Sequence, residues 1–374
     1  MRYLVIVCGL VLCVVLYSCS KSSGGPSPGP STSEFDKTAM LSSYADELII
    51  PAYQKMQQAI TELETAAIAF LDNPGSTSQE TVKAAYRNAH LQYERIEAFN
   101  FGPAGVALLE VNANFSGGLD YSFTQAGELT GFSIDSSTIE NNISTGSYDL
   151  AVYSRNNFYS QGFPALNYLL LDPHAIEKFK VNTTGRVKYV KDVLARLKSL
   201  IDKVAADWGT YRSTFTGNTE TNVGSPIGNL VNQFAYEMDL LKGPRIGWPF
   251  GKQSNAIPFP LKSEAYFAGM SAALAVENIK SLKIAYTNNG NGKGIADYLK
   301  SLGKAELNDD VLSRFDKLIA SLEAIPDPLS DAFTSQSDLI DAAYKDIQQL
   351  LTLLKTDVPS ALGVQITFMD NDGD

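Results

Sequence analysis

The run Arg155-Asn-Asn-Phe-Tyr-Ser-Gln-Gly-Phe-Pro-Ala-Leu-Asn-Tyr-Leu-Leu-Leu-Asp172 decides how the rest of the chain is read. Gly162 and Pro164 interrupt an apolar, aromatic segment, and Asn156, Asn157 and Asn167 stand among Phe158, Tyr159, Phe163 and Tyr168. Proline has no N–H to donate and its ring clashes with the preceding turn, so a helix here must restart or kink near Gly162. A break of that kind frees carbonyls and gathers aromatics around them, which suits a segment lining a ligand. A buried core helix with proline in its first turn is the alternative reading.

Outward from this run the chain reads as helices. Leu41, Tyr44, Leu48 and Ile49 begin an apolar stripe that Met56, Ile60 and Leu63 continue past Pro51. Asp72-Asn73-Pro74-Gly75 is a turn, Ser78 is a candidate cap, and Val82, Ala85, Ala89, Tyr93 and Ile96 form the next apolar face, stopped by Gly102-Pro103. Residues 104–147, rich in Gly, Ser, Thr and Asn, are expected to be an irregular insertion. Thr183 or Thr184 opens the clearest helix, with Val187, Val190, Leu194, Leu197, Ile201, Val204, Trp208 and Tyr211 at spacings of three and four. After Ile227–Leu241, the Gly- and Pro-rich segment Gly243–Pro260 excludes a long helix. Further helices are expected over Ser263–Ala285, Ile295–Leu302, Asp309–Ala324 and Gln336–Leu354. Val364, Ile366 and Phe368 alternate as an edge strand would. The expectation is all-α, two bundle-like lobes of long antiparallel helices over roughly 35–180 and 181–370, with an irregular insertion and a short C-terminal strand.

The N-terminus has a different logic. Arg2 precedes an apolar run from Tyr3 to Tyr17 that is short for a bilayer span and right for a signal segment. Leu16-Tyr17-Ser18-Cys19 resembles a bacterial lipobox, which makes residues 1–18 a signal peptide and Cys19 the lipidated first residue. Several acyl chains on one cysteine anchor a protein stably. Ser20–Ser33 is a Ser/Gly/Pro tether with nothing apolar to bury, so residues 19–34 form a flexible linker. The three cysteines are Cys8, Cys13 and Cys19, so a mature chain has no second thiol for a disulfide. The expected location is the cell envelope, on the outer membrane and facing periplasm or cell surface.

A hydrophobic share of 44% and a charged share of 19% are those of a globular protein. The net charge of −11, without a basic cluster, excludes nucleic acid as an expected partner.

Gly162-Phe-Pro-Ala-Leu-Asn-Tyr-Leu-Leu-Leu171 resembles the signature helix of the imelysin-like family, also classified as peptidase family M75. The family's common form there is Gly-x-His-x-x-Glu, so Pro164 stands in place of His and Asn167 in place of Glu. Further pieces over most of residues 36–370 resemble the family in order: Tyr93–Pro103, Asp207-Trp208-Gly209, Arg245–Gly251, Glu264–Phe267 and Leu362–Asp374. The resemblance implies a two-lobed helical body whose cleft is lined by Glu97, Asn156, Gly162, Phe163, Pro164, Asn167, Tyr168, Arg245, Trp248 and Glu264. It also implies a binding component for iron or an iron chelate, working with an iron-uptake partner protein; with the lipobox this makes a lipid-anchored protein, and a monomer is expected. An M75-type metallopeptidase and a structural surface lipoprotein are the alternatives.

Metal chemistry needs convergent donors, and the chain has two histidines, His90 and His174. His174-Ala-Ile-Glu177 would place two donors on one helix face, but Asp172 and Pro173 make it read as a polar helix start. Glu97 is the better-placed acid by family position, and Asn167 offers only an amide oxygen. Replacement of the motif His and Glu removes the groups a metallopeptidase would use. His-Glu-x-x-His does not occur, and the one Gly-x-Ser-x-Gly spacing, Gly25-Pro-Ser-Pro-Gly29, lies in the Ser/Gly/Pro tether without the strand and helix a nucleophile elbow needs, which argues against catalysis. Asp370, Asn371, Asp372 and Asp374 open like a calcium loop but lack its closing ligands, so an acidic tail is expected.

Overall fold

Pro51 does not stop the first helix. Lys37–Ser43 (α1) widens into a π-helical turn, Tyr44–Ile49, and continues as Ile50–Asp72 (α2), with the Ile50 N–H reaching Ala45 O. The widened turn lets the chain pass a residue that cannot donate. The computed structural model describes residues 35–106, 121–123, 129–131, 134–152, 159–181 and 183–367. The expected signal segment, Cys19, the tether, Asn156 and the acidic tail lie outside them.

After the Asn73–Gly75 turn, Ser76–Glu97 (α3) returns antiparallel to α2. Ser78 is not its cap. It sits within the first turn, where its Oγ accepts from Gly75 N at 3.1 Å. The expected irregular insertion holds a two-stranded antiparallel ribbon, Tyr121–Phe123 (β1) and Leu129–Gly131 (β2), pairing Tyr121 with Gly131. It also holds a regular helix, Ser136–Thr145 (α4), capped by Asp135, which accepts from Thr138 N at 2.9 Å. Gly162–Leu171 (α5) follows, then Thr183–Gly217 (α6), which runs for 35 residues as its spacing predicts.

Pro226–Leu240 (α7) repeats the device of Pro51. Its helix does not end near Gly243 as expected but widens into the π-helical turn Leu241–Gly247 around Pro244, and continues through Trp248–Phe250. Gly247 makes this possible: a Cβ there would come within 2.6 Å of the Tyr344 ring. Ser271–Thr287 (α8), Ala305–Glu323 (α9) and Ser337–Thr352 (α10) complete the long helices.

The helix α2 packs between α3 and α6, α8 bridges α3 and α9, and α9 pairs with α10. The long α6 therefore lies against the N-terminal helices, and α5 is wedged between α3 and α6. One continuous apolar core runs from Met40 to Val364. Each fully buried Leu, Ile or Phe in it contributes roughly 1.5–3 kcal/mol. Among the described residues no helix is long and apolar enough to cross a membrane.

The expected C-terminal strand is absent over Val364–Thr367, and Phe368 lies outside the described residues. The reason is the partner: Asn232 of α7 donates to Gln365 O at 2.9 Å and accepts from Thr367 N at 2.7 Å. A side-chain amide satisfies the backbone that a neighbouring strand would otherwise have paired.

Candidate functional site

The helix α5 starts where the sequence demands. Gly162 takes φ 64° at its first position, a left-handed value that favours glycine, and Pro164 falls in the first turn, where no intrahelical N–H is needed. Phe163, Leu166, Asn167 and Leu170 are buried. The alternative reading of a buried helix with proline in its first turn is thus correct for α5. Pro164 and Asn167 nevertheless line a small cavity of about 30 Å³, together with Tyr86, His90, Ser263 and Glu264.

Asn167 does not act as the missing Glu. Its Oδ1 accepts from Phe267 N at 2.9 Å, so it fixes the chain that carries Glu264 past the cavity. That chain is tightly bent: Ala265 has φ 50° and Gly269 φ 58°. The expected helix start at Ser263 therefore moves to Ser271. There Asp327, distant in sequence, accepts from Ala272 N at 2.8 Å and Ala273 N at 3.0 Å.

Behind the cavity lies a buried charged cluster. α3 supplies His90, Glu94 and Glu97 at spacings of four and three, all on its core-facing side. The π-helical turn after α7 supplies Arg245, α7 supplies Glu237, α8 supplies Asn278, and the bent loop supplies Glu264. Arg245 holds Glu94 through Nη1 and Glu97 through Nη2, and its Nη1 lies 3.7 Å from Glu264 Oε2. Asn278 Nδ2 donates to Glu97 Oε2 at 3.0 Å and to Glu237 Oε2 at 3.2 Å. Gln233 donates to Glu237 Oε1 at 2.8 Å.

Burying four carboxylates against one guanidinium shifts their acidities apart. Burial raises the Glu94 carboxyl well above its ordinary value, and the neighbouring Glu97 and Glu264 charges add to this against the pull of Arg245. Burial, then Glu97, raises Glu237 to about 8. Burial also opposes ionisation of Glu264, but Arg245 and His90 outweigh it and hold that carboxyl below its usual value.

His90 is 1% exposed and stacks on Phe163, and neither ring nitrogen makes a hydrogen bond among the described residues. Its Nε2 lies 3.3 Å from Glu264 Oε1 and 3.9 Å from Glu94 Oε1, without the alignment of a hydrogen bond. Both of those carboxylate oxygens are unbonded as well.

Of the sequence candidates, the fold brings Glu97, Phe163, Pro164, Asn167, Arg245 and Glu264 to one place. Tyr168 serves elsewhere, donating to Glu140 at 2.7 Å beneath Lys178. Trp248 packs with Leu240, Tyr159, Tyr236 and Phe259. His174 and Glu177 are exposed at the short helix Ala175–Lys180, apart from any group of three metal-ligating side chains among the described residues. Sequence reasoning missed the part played by His90, Glu94, Glu237 and Asn278. The available signal was a His and two Glu at core positions of the α3 stripe, where charge is costly unless it is used.

The imelysin model of peptidase family M75 matches residues 49–354. A solved structure from Parabacteroides distasonis ATCC 8503, described as an iron-regulated protein A precursor, superposes with a TM-score of 0.70 at 19% identity, covering 87% of this chain and 95% of that one. An imelysin-like protein from Psychrobacter arcticus 273-4 superposes with a TM-score of 0.65 at 17% identity, covering 89% and 97%. No curated protein is significantly similar to the chain. With the family model spanning most of the helical body, the chain belongs to the imelysin family of all-helical proteins.

Proposed function

We propose that this chain is a lipid-anchored extracytoplasmic binding protein that serves iron uptake and performs no catalysis. The observation that carries the reading is the small cavity beside α5, backed by buried carboxylates whose free oxygens have no bonded partner. Among the described residues a space of about 30 Å³ takes about one or two water-sized groups, which suits a small ligand better than a peptide backbone. Hydrolysis by the family motif would need its Glu as a base. Asn167 stands at that position and its Oδ1 accepts from Phe267 N, while Glu97 Oε2 is tied to Arg245 and Asn278. Iron enters through the structural neighbour described as iron-regulated. The lipobox-like run ending at Cys19 and the Ser20–Ser33 tether supply attachment to the envelope.

The test is growth. A strain lacking the chain is expected to grow more slowly than its parent when iron is withheld, and equally when iron is ample. The wild-type chain restores growth, whereas Cys19→Ser does not. Equal growth of both strains in iron-poor medium overturns the reading.

A further inference from the structure

We infer that His90, Glu94 and Glu264 form a seat for one divalent first-row transition cation, built without the Gly162–Asn167 motif. The inference rests on reading the α5 cavity as the binding site, and it names the ligand class. One donor atom from each of the three side chains lies within 4.8 Å of the others. The division of labour among the oxygens is the decisive feature. Glu94 and Glu264 both turn Oε2 toward Arg245, while their Oε1 atoms face His90 Nε2 and have no hydrogen-bond partner among the described residues. Arg245 thus acts as an outer clamp that orients two carboxylates and leaves three donors convergent.

The side chains of His90, Glu94 and Glu264 are 2%, 0% and 6% exposed, so water does not satisfy these atoms from the surface. Leaving a buried acceptor unbonded costs about 1–3 kcal/mol, more when it is charged. Three such atoms aimed at one point are best explained by a ligand that bonds all three. A cation does so, in a cluster where one guanidinium serves several carboxyl groups.

The donor set selects the cation. One imidazole nitrogen and two carboxylate oxygens suit Zn²⁺, Fe²⁺, Mn²⁺ or Co²⁺. Three ligands are too few for Ca²⁺, which takes six to eight oxygens, and no cysteine lies among the described residues to serve a soft monovalent ion. His90 and Glu264 also line the cavity, so the open coordination positions face a space for about one or two waters.

The probe is Co²⁺, whose visible absorption reports the ligand field, with Zn²⁺ calorimetry in parallel, on chelator-treated full chain in detergent. One equivalent is expected to bind. His90→Ala and Glu264→Gln are each expected to weaken binding at least tenfold, while His174→Ala with Glu177→Ala leaves it unchanged. Circular dichroism confirms the fold of each variant, and Glu264→Asp, which keeps the charge, is expected to retain part of the affinity if a variant unfolds. Absence of saturable Co²⁺ and Zn²⁺ binding by the wild type overturns the inference, as does loss of binding in the His174 and Glu177 variant. A chain that fails to bind either cation yet supports growth in iron-poor medium refutes the seat and leaves the proposed function standing. Failure of both removes both.

Discussion

The imidazole of His90 lies flat on the ring of Phe163, with centroids 4.2 Å apart and planes 4° from parallel. Tyr86 meets both rings edge-on, at 5.5 Å from each. This aromatic set joins α3 to the first turn of α5 and fixes the plane in which Nε2 points at Glu264. Phe163 is thus both core and support. Phe163→Ala is expected to cost about 3–5 kcal/mol in urea unfolding, through lost burial and the cavity left behind. Phe163→Leu should cost much less and keep the fold, while loosening the imidazole enough to weaken Co²⁺ binding.

Arg245 compensates several carboxylates at once. Arg245→Met removes the only guanidinium or ammonium that the described ion pairs place on Glu94, Glu97 and Glu264. Breaking a buried ion pair from one side costs about 3–5 kcal/mol, and here more than one pair is broken. Adding Glu94→Gln and Glu97→Gln to Arg245→Met should restore part of the lost stability, because neutral amides tolerate burial. Guanidinium midpoints of the single and triple variants measure the difference.

Glu237 makes stability fall with pH in the cation-free chain. Burial, with the Glu97 charge adding and Arg245 opposing, lifts its carboxyl to about 8, whereas the unfolded chain titrates there at about 4.3. Between those values the native state holds a proton that the unfolded state has released, so stability declines as pH rises through the window. Glu237→Gln cannot titrate. Its stability relative to wild type should improve by a few kcal/mol between about pH 5 and pH 8, read from urea midpoints at several pH values.

Ala265 occupies the left-handed region at φ 50°, ψ 40°, directly after Glu264. That conformation costs an L-residue roughly 1–2 kcal/mol, and glycine adopts it freely. Ala265→Gly should therefore raise the melting temperature, opposite to the usual effect of Ala→Gly in a helix.

How much of this was legible depends on where each determinant sits. α6 could be read outright, because Val190, Leu194, Leu197, Ile201, Val204 and Trp208 repeat the helical period and all are buried. Pro51 and Pro244 suggested a kink and a stop, but the sequence gives no sign that a π-helical turn can carry a helix past each. The start of α8 was misplaced because it is set by Asp327 and by Asn167 bonding to Phe267, contacts that span 55 and 100 residues. The same holds for the site. Glu97, Arg245 and Glu264 were named by resemblance, but the convergence of α3, the π-helical turn carrying Arg245 and the 263–268 loop depends on tertiary contacts that no local pattern encodes.

The most direct test of the central claim is anomalous scattering from crystals grown with Zn²⁺, recorded on both sides of the zinc edge. One strong peak is expected about 2.0–2.2 Å from His90 Nε2, Glu94 Oε1 and Glu264 Oε1, with Arg245 still bonded to the far carboxylate oxygens. A map with no peak there, or with zinc found only at His174 and Glu177, would contradict it.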